Sequence, residues 1–243
     1  MQKSNRIKNF FDGLEFEESL HKYSFDGKPV SISVSGIVDR FVRPFNIQEK
    51  SLKKARELGI SQQEVLKMWR DKGDSRCKLG KNIHLFAEER TFKNIKPSNK
   101  YEEAVVKFWK AVPKKIFPML TELKMYHKKY LFAGTCDTLL YNNETGRFVI
   151  TDWKTNEDLF KNFTGERLLG CFSDLLKNNF NKYQIQLSLY QILFEQTGYK
   201  VEDRRIIHLK PDGTFSIYKT EDYTQRLKDY LETEYNKINY ESQ

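Results

Sequence analysis

The chain has 243 residues, of which 39% are hydrophobic, 14% aromatic and 31% charged. A chain of that length and apolar content buries enough surface to offset its conformational entropy, which excludes an intrinsically disordered protein and is enough for one domain with a sizeable core. The balance of 42 Lys and Arg against 33 Asp and Glu, a formal +9, favours polyanions or anionic surfaces as partners without choosing between them.

No run of about 18 apolar residues occurs, and the first residues, MQKSNRIKNFFDG, lack the apolar centre and small-residue cleavage site of a secretory signal. A cytoplasmic protein with no membrane partner is therefore expected. The three cysteines, Cys77, Cys136 and Cys171, contain no CxxC pair, which argues against a disulfide framework or a Cys-rich zinc site. Reduced thiols in or near the core are expected.

In chain order, HKYSFDGKPVSIS carries two β-prone runs around Asp26-Gly27, a hairpin signal. From about Ser35 to Val112 the apolar spacing turns helical, through Ile37, Val38 and Phe41, then Val65, Leu66 and Trp69, then Ile83, Phe86 and Ala87, then Val105, Phe108 and Trp109. Pro113 and Pro118 are expected to end this helical region. Three strands are predicted next, MLTELKMY, KYLFAGTCDTLLY and RFVITDWKT, the last two joined by a polar turn ending in Gly146. The segment YQIQLSLYQILFEQTG predicts a buried helix before a C-capping Gly198. A hairpin around Pro211-Asp212-Gly213 and a charged amphipathic helix from about Asp222 to Asn239 close the chain. This order predicts an α+β (α/β-like) fold with a mixed central β-sheet flanked by helices. The helix crossing over after the meander implies at least one parallel strand pair.

Within these elements, GTCDTLLYNNETGRFVITDWKT draws attention because two carboxylates and a lysine end apolar strands. Alternation along a strand puts Asp152 and Lys154 on one face and Trp153 on the other. The hairpin turn brings Asp137 beside Asp152, where two carboxylates repel each other unless a cation lies between them. A divalent ion with oxygen ligands, Mg²⁺ or Mn²⁺, answers that need. Taken alone, the stretch fits an ordinary Asp152–Lys154 ion pair at a sheet edge equally well. Two further patterns bear on the choice. In KLGKNIHLFAEER, Gly80, His84 and Glu88 recur every four residues along one helical face. In YQIQLSLYQ, Gln186 and Tyr190 stand one helical turn apart. A single His is more often structural than a ligand, and plain amphipathic patterning also explains the Gln and Tyr.

Together, Gly-x-x-x-His with Glu four residues on, Gly-Thr-x-Asp, Asp-Trp-Lys-Thr and Gln-Leu-x-x-Tyr, in that order over Gly80 to Tyr190, resemble the RecB-like, phage-type exonuclease branch of the PD-(D/E)XK nuclease superfamily. The proline of the superfamily name is missing before Asp137. The resemblance implies one nuclease domain over 1–243, with a hairpin and helical region over 1–117 and a restriction-endonuclease-like core over 118–243. It implies a metal-dependent deoxyribonuclease hydrolysing phosphodiester bonds, an exonuclease of phage or bacterial DNA replication, recombination or repair. His84, Asp137, Asp152 and the carbonyl of Trp153 would ligate one or two Mg²⁺ or Mn²⁺ ions. Lys154 would act on the attacking water, Gln186 and Tyr190 would position the strand or the lysine, and Glu88 would orient His84. The implied partner is DNA, single-stranded or at duplex ends. With no Gly-x-x-x-x-Gly-Lys-Ser/Thr motif, a helicase or recombination partner would come from another chain. The alternative within the same fold is a catalytically idle DNA-binding module. The Lys-rich segments KNFTGER, LKNNFNK and Lys107 to Lys115 are candidates for phosphate contacts, and Phe160, Phe163 and Phe172 for base stacking, although solvated faces and core packing explain them too. His21, His127 and His208 are not linked to the cluster by spacing.

Overall fold

A computed structural model of the protein describes residues 2–20, 22–162 and 165–241. His21 and Phe163, singled out above, lie outside the described residues. The elements run α1 (Gln2–Phe10), β1 (Leu14–Glu17), β2 (Lys22–Phe25), β3 (Lys28–Pro29), β4 (Ile32–Ser33), α2 (Val34–Arg40), α3 (Ile47–Leu58), α4 (Gln62–Phe92), α5 (Lys100–Ala111), β5 (Ile116–His127), β6 (Phe132–Asn142), β7 (Arg147–Lys154), α6 (Asn179–Glu195), β8 (Val201–Leu209), β9 (Phe215–Lys219) and α7 (Thr224–Glu241). The architecture is α+β, with a mixed six-stranded sheet flanked by helices.

The hairpin at Asp26-Gly27 forms with both turn residues at positive φ, 48° and 74°. β1 adds a third strand to it, and α1 precedes it; both escape the hydrophobic pattern because they are short and mostly polar. Among the helices, α4 is the long one. Its 31 residues start at a Ser61/Glu64 capping box, and at 1.5 Å per residue it reaches about 46 Å. The helical region stops at Val112, just before Pro113, whereas Pro118 lies inside β5. A proline is tolerated there because the ladder to β6 is irregular between Pro118 and Leu120. Helix α6 is capped at Gln196, and Gly198 follows two residues later at φ 84°.

In the main sheet β5, β6 and β7 form the antiparallel meander, α6 crosses over to β8, which pairs parallel to β7, and β9 closes the edge. Strand β4 pairs parallel with Phe132 and Ala133 of β6. Because β5 holds one edge of β6 throughout, β4 and β7 share the other edge, and it is open between Ala133 and Thr138. The two faces of the sheet bury different layers. On one, Phe148, Ile150 and Ile206 pack with residues of α1, α2, α6 and α7. On the other, Trp153, Ile207 and Leu209 pack with Ile83 and Phe86 of α4 and Val105 and Phe108 of α5. Helices α4 and α5 thus cover one face of the sheet, and α1, α2, α6 and α7 the other.

Of the cysteines, only Cys136 is in the core; Cys77 and Cys171 are exposed, contrary to the expectation of buried thiols: Cys77 lies in the polar stretch DSRCK of α4, and Cys171 beside the fully buried Phe172. No described helix is long and apolar enough to cross a membrane. Gly134 is tightly packed: a Cβ there would lie 2.6 Å from Val34 Cγ2 and 2.8 Å from Tyr190 Cε1. Gly134→Ala is expected to lower stability by about 1–3 kcal/mol, read as a shift of the denaturation midpoint.

Candidate metal centre

The β6–β7 ladder ends at Thr138↔Thr151, so Asp137 and Asp152 are the first residues beyond the point where the strands part. The Trp153 N–H, left without a strand partner on that side, donates to Asp137 Oδ2 at 2.9 Å. The carboxylate thereby takes the place of a ladder carbonyl. The indole of Trp153 points away as predicted, packed edge-on against Phe108 at 5.0 Å and donating from Nε1 to Thr138 Oγ1 at 3.1 Å. From the same side α4 delivers His84. Its Nε2 is 3.0 Å from the Trp153 carbonyl oxygen and its Nδ1 is 3.4 Å from Asp137 Oδ2. The three groups named as ligands by the resemblance, His84, Asp137 and the Trp153 carbonyl, therefore meet.

The structure adds a carboxylate that the sequence reading passed over. Glu122 of β5 lies between the pairs Thr121↔Thr138 and Leu123↔Cys136, opposite Asp137. Ligand atoms of His84, Glu122 and Asp137 all fall within 4.8 Å of one another. Glu122 is also one of three non-glycine residues at positive φ among those described. Asp26 and Leu131 occupy turns, whereas Glu122, at 47°, is inside a strand. Such a conformation costs about 1–3 kcal/mol and persists only where the surroundings impose it. The visible signal was the single carboxylate in MLTELKMY, a segment otherwise read only for its strand propensity.

The fourth expected group, Asp152, is 1% exposed and faces Lys154, whose Nζ is 2.5 Å from Oδ2. That approach is too poorly aligned for a hydrogen bond, and neither Asp152 oxygen has an aligned donor. A buried carboxylate in that condition is costly. Its carboxyl is pushed up by burial and by Asp137, with Lys154 opposing. Burial works against the charge on Lys154, but Asp152 and Asp137 outweigh it and hold the ammonium above its ordinary value. The lysine is thus held as a cation by its two carboxylate neighbours. Glu122 is raised to about 8, first by burial and then by Asp137, Glu88 and Asp152. The site has more negative charge than its one lysine offsets. A set of carboxylate oxygens and one imidazole, without thiolate, fits a hard divalent ion such as Mg²⁺ or Mn²⁺.

The other expected residues fall differently. Glu88 makes no hydrogen bond to His84 and instead adds negative charge beside Glu122. Gln186 donates to the Tyr190 hydroxyl at 2.8 Å, so the two are joined to each other rather than to the lysine. The residue that meets Lys154 is Tyr183, one turn earlier on α6, with its ring centroid 4.4 Å from Nζ and its hydroxyl donating to Asn156 Oδ1 at 2.9 Å. Its position at the head of the same YQIQLSLYQ stripe was legible. His208, read as unconnected, pairs with Lys154 across β7–β8, and its Nε2 is 2.6 Å from the carbonyl oxygen of Asn156. His127 is held neutral, lowered to about 4 by burial, and contributes to a different hollow. Gly80 has nothing within 4 Å of the place a Cβ would occupy. Gly80→Ala is expected to stabilise the fold by about 0.5–1 kcal/mol, read from the denaturation midpoint.

Two adjoining hollows of about 330 and 470 Å³ share Arg76, Asn156 and Glu157 and run from His84 and Lys154 along α4 to Trp69, Lys72 and Lys161. Arg76 pairs with Glu157 across this groove. Several lysines proposed for phosphate contact are engaged elsewhere: Lys177 with Glu166, Lys115 with Glu144, and Lys107 with the Gly213 carbonyl. Phe172 is fully buried, and Phe160 is half exposed but packed on Phe180 and Tyr218.

No protein-family model matches the chain, and no curated protein matches it. Among solved structures, SSO0001, known from a crystal structure, is similar over 96% of this chain and 82% of that one, at 13% identity and a TM-score of 0.42. Identity and overlap at that level say nothing about activity.

Proposed function

We propose that the protein is a divalent-metal-dependent deoxyribonuclease of the PD-(D/E)XK type, acting as an exonuclease in DNA replication, recombination or repair. The observation that carries this reading is the meeting of His84, Glu122, Asp137, Asp152 and Lys154 where β6 and β7 separate, a crowding of carboxyl groups that a bound cation would offset. His84, Glu122, Asp137 and the Trp153 carbonyl would hold one ion, with Asp152 alongside. Such an ion, when bound, polarises a phosphodiester and acidifies a water.

The chain's own groups supply the rest. Lys154, held charged by Asp152 and Asp137, offers a fixed positive charge to a phosphate and to the charge that develops as water attacks phosphorus. Tyr183 lies against that ammonium and restricts where it points. Arg76, Lys72 and Lys161 border the groove leading to the site, and the overall +9 attracts a polyanion from a distance.

The test is incubation of end-labelled single- and double-stranded DNA with the purified protein in Mg²⁺, Mn²⁺ or EDTA. Loss of label in either metal and none in EDTA is expected, and the product ladder gives polarity. Retained DNA binding with no cleavage in any metal would replace this reading with that of a binding module.

A further inference from the structure

A second hollow adjoins the carboxylates, and its chemistry is unlike that of the Arg76 groove. It occupies the stretch of β6 edge left open between β4 and β7, has a volume of about 180 Å³, and is bordered by Phe16, Tyr23, Ser33, Ser35, Thr135 and Gln186. No charged side chain lines it. Tyr23 and Thr135 share a hydrogen bond of 2.8 Å, and Ser33 and Ser35 one of 2.9 Å. The rings of Phe16 and Tyr23 are 4.6 Å apart. The two hollows follow each other along α6, which presents Tyr183 to the first and Gln186 and Tyr190 to the second. The carboxylates lie close to both. Thr135, which borders the second hollow, is two residues before Asp137 on β6, and His84 and Lys154 border the first.

Resting on the nuclease reading, we infer that this pocket takes the sugar and base of the terminal nucleoside, with the phosphodiester to be cut at the carboxylate cluster and the remaining strand in the Arg76 groove. Each further nucleotide would bring another phosphate charge, and nothing in the pocket lining compensates one. Hydroxyls, an amide and three aromatic rings match a neutral sugar and a base, whose face stacks on such rings without regard to sequence. At about 180 Å³ the hollow encloses part of one nucleoside and leaves no room for a continuing strand. The strand therefore ends here, and cutting proceeds from an end.

The experiment compares kcat/KM in Mn²⁺ for the thymidine 5′- and 3′-(p-nitrophenyl phosphate) esters with that for bis(p-nitrophenyl) phosphate, which has no nucleoside. The wild type is expected to prefer one thymidine ester by about tenfold or more, and Ser35→Leu, an exposed position whose larger side chain fills the pocket, to reduce that ratio to below about threefold. Tyr23→Phe keeps the ring and removes the hydroxyl, and is expected to lower the ratio by a smaller factor. Circular single-stranded DNA, which has no terminal nucleoside, is expected to be cut at least about tenfold more slowly than the same linear strand. A wild-type ratio near one, a ratio unmoved in folded Ser35→Leu, or equal cutting of circle and line overturns the pocket assignment while leaving the nuclease in place. No turnover of any ester or of DNA in metal overturns the nuclease reading and this inference with it.

Discussion

Lys154→Ala is expected to slow metal-dependent DNA cleavage by about 10²–10³-fold, the usual cost of removing one preorganised group that stabilises developing charge. The expectation follows from burial and charge. The Lys154 side chain is 14% exposed and is held as a cation by Asp152 and Asp137. The structure also attaches a stability cost to this substitution. With the ammonium gone, the buried Asp152 carboxylate has no counter-charge, which costs about 3–5 kcal/mol unless the group takes up a proton. The folded state of Lys154→Ala then holds a proton that the unfolded chain releases, so its stability falls as pH rises above the ordinary carboxyl range. Asp152→Asn should be equally inactive. The double variant Asp152→Asn/Lys154→Met removes both charges and should regain thermal stability with no cleavage. Cleavage by Lys154→Ala within about threefold of wild type would refute the role given to the lysine.

Glu122→Gln is expected to separate stability from function. The folded protein keeps the Glu122 proton up to about pH 8, against an ordinary value of 4.5. Folding therefore takes up a proton between those values, and metal-free stability falls as pH rises through that window. Glutamine carries no such proton, so the variant should be more stable than wild type well above pH 8 by on the order of 5 kcal/mol and equal to it below pH 4.5. In Mn²⁺ the order reverses. The wild-type carboxylate gains a cation partner and its midpoint rises, whereas the variant lacks one donor of the His84–Glu122–Asp137 group and responds less. Thermal denaturation at pH 4.5, 7 and 8.5, with and without Mn²⁺, reads all of this. A variant that matches wild type at every pH would mean that Glu122 does not face the cluster.

Elements built from long periodic or alternating runs were legible without coordinates. The Asp26-Gly27 hairpin, the long helix bearing Gly80, His84 and Glu88, the β5–β6–β7 meander and the parallel crossover through α6 all follow from local pattern and turn chemistry. So did the convergence of Asp137 and Asp152, because a hairpin register fixes which residues come opposite each other. Lys154 on the Asp152 face and Trp153 in the opposite layer follow from alternation alone.

What sequence could not decide depends on contacts between elements far apart in the chain. The entry of Glu122 beside Asp137 depends on the β5–β6 register and on one residue at positive φ inside a strand, which no propensity announces. Tyr183 rather than Gln186 meets the lysine because the rotation of α6 over the sheet is set by packing of its whole buried face. The open stretch of β6 edge between β4 and β7, and the two unlike hollows beside it, arise from where three separate segments stop pairing. Local sequence thus determined the elements and the residues able to do chemistry, because the interactions that encode them span a few positions. Tertiary structure decided which of those residues share a site, because burial and repulsion between carboxylates exist only once distant elements are packed together.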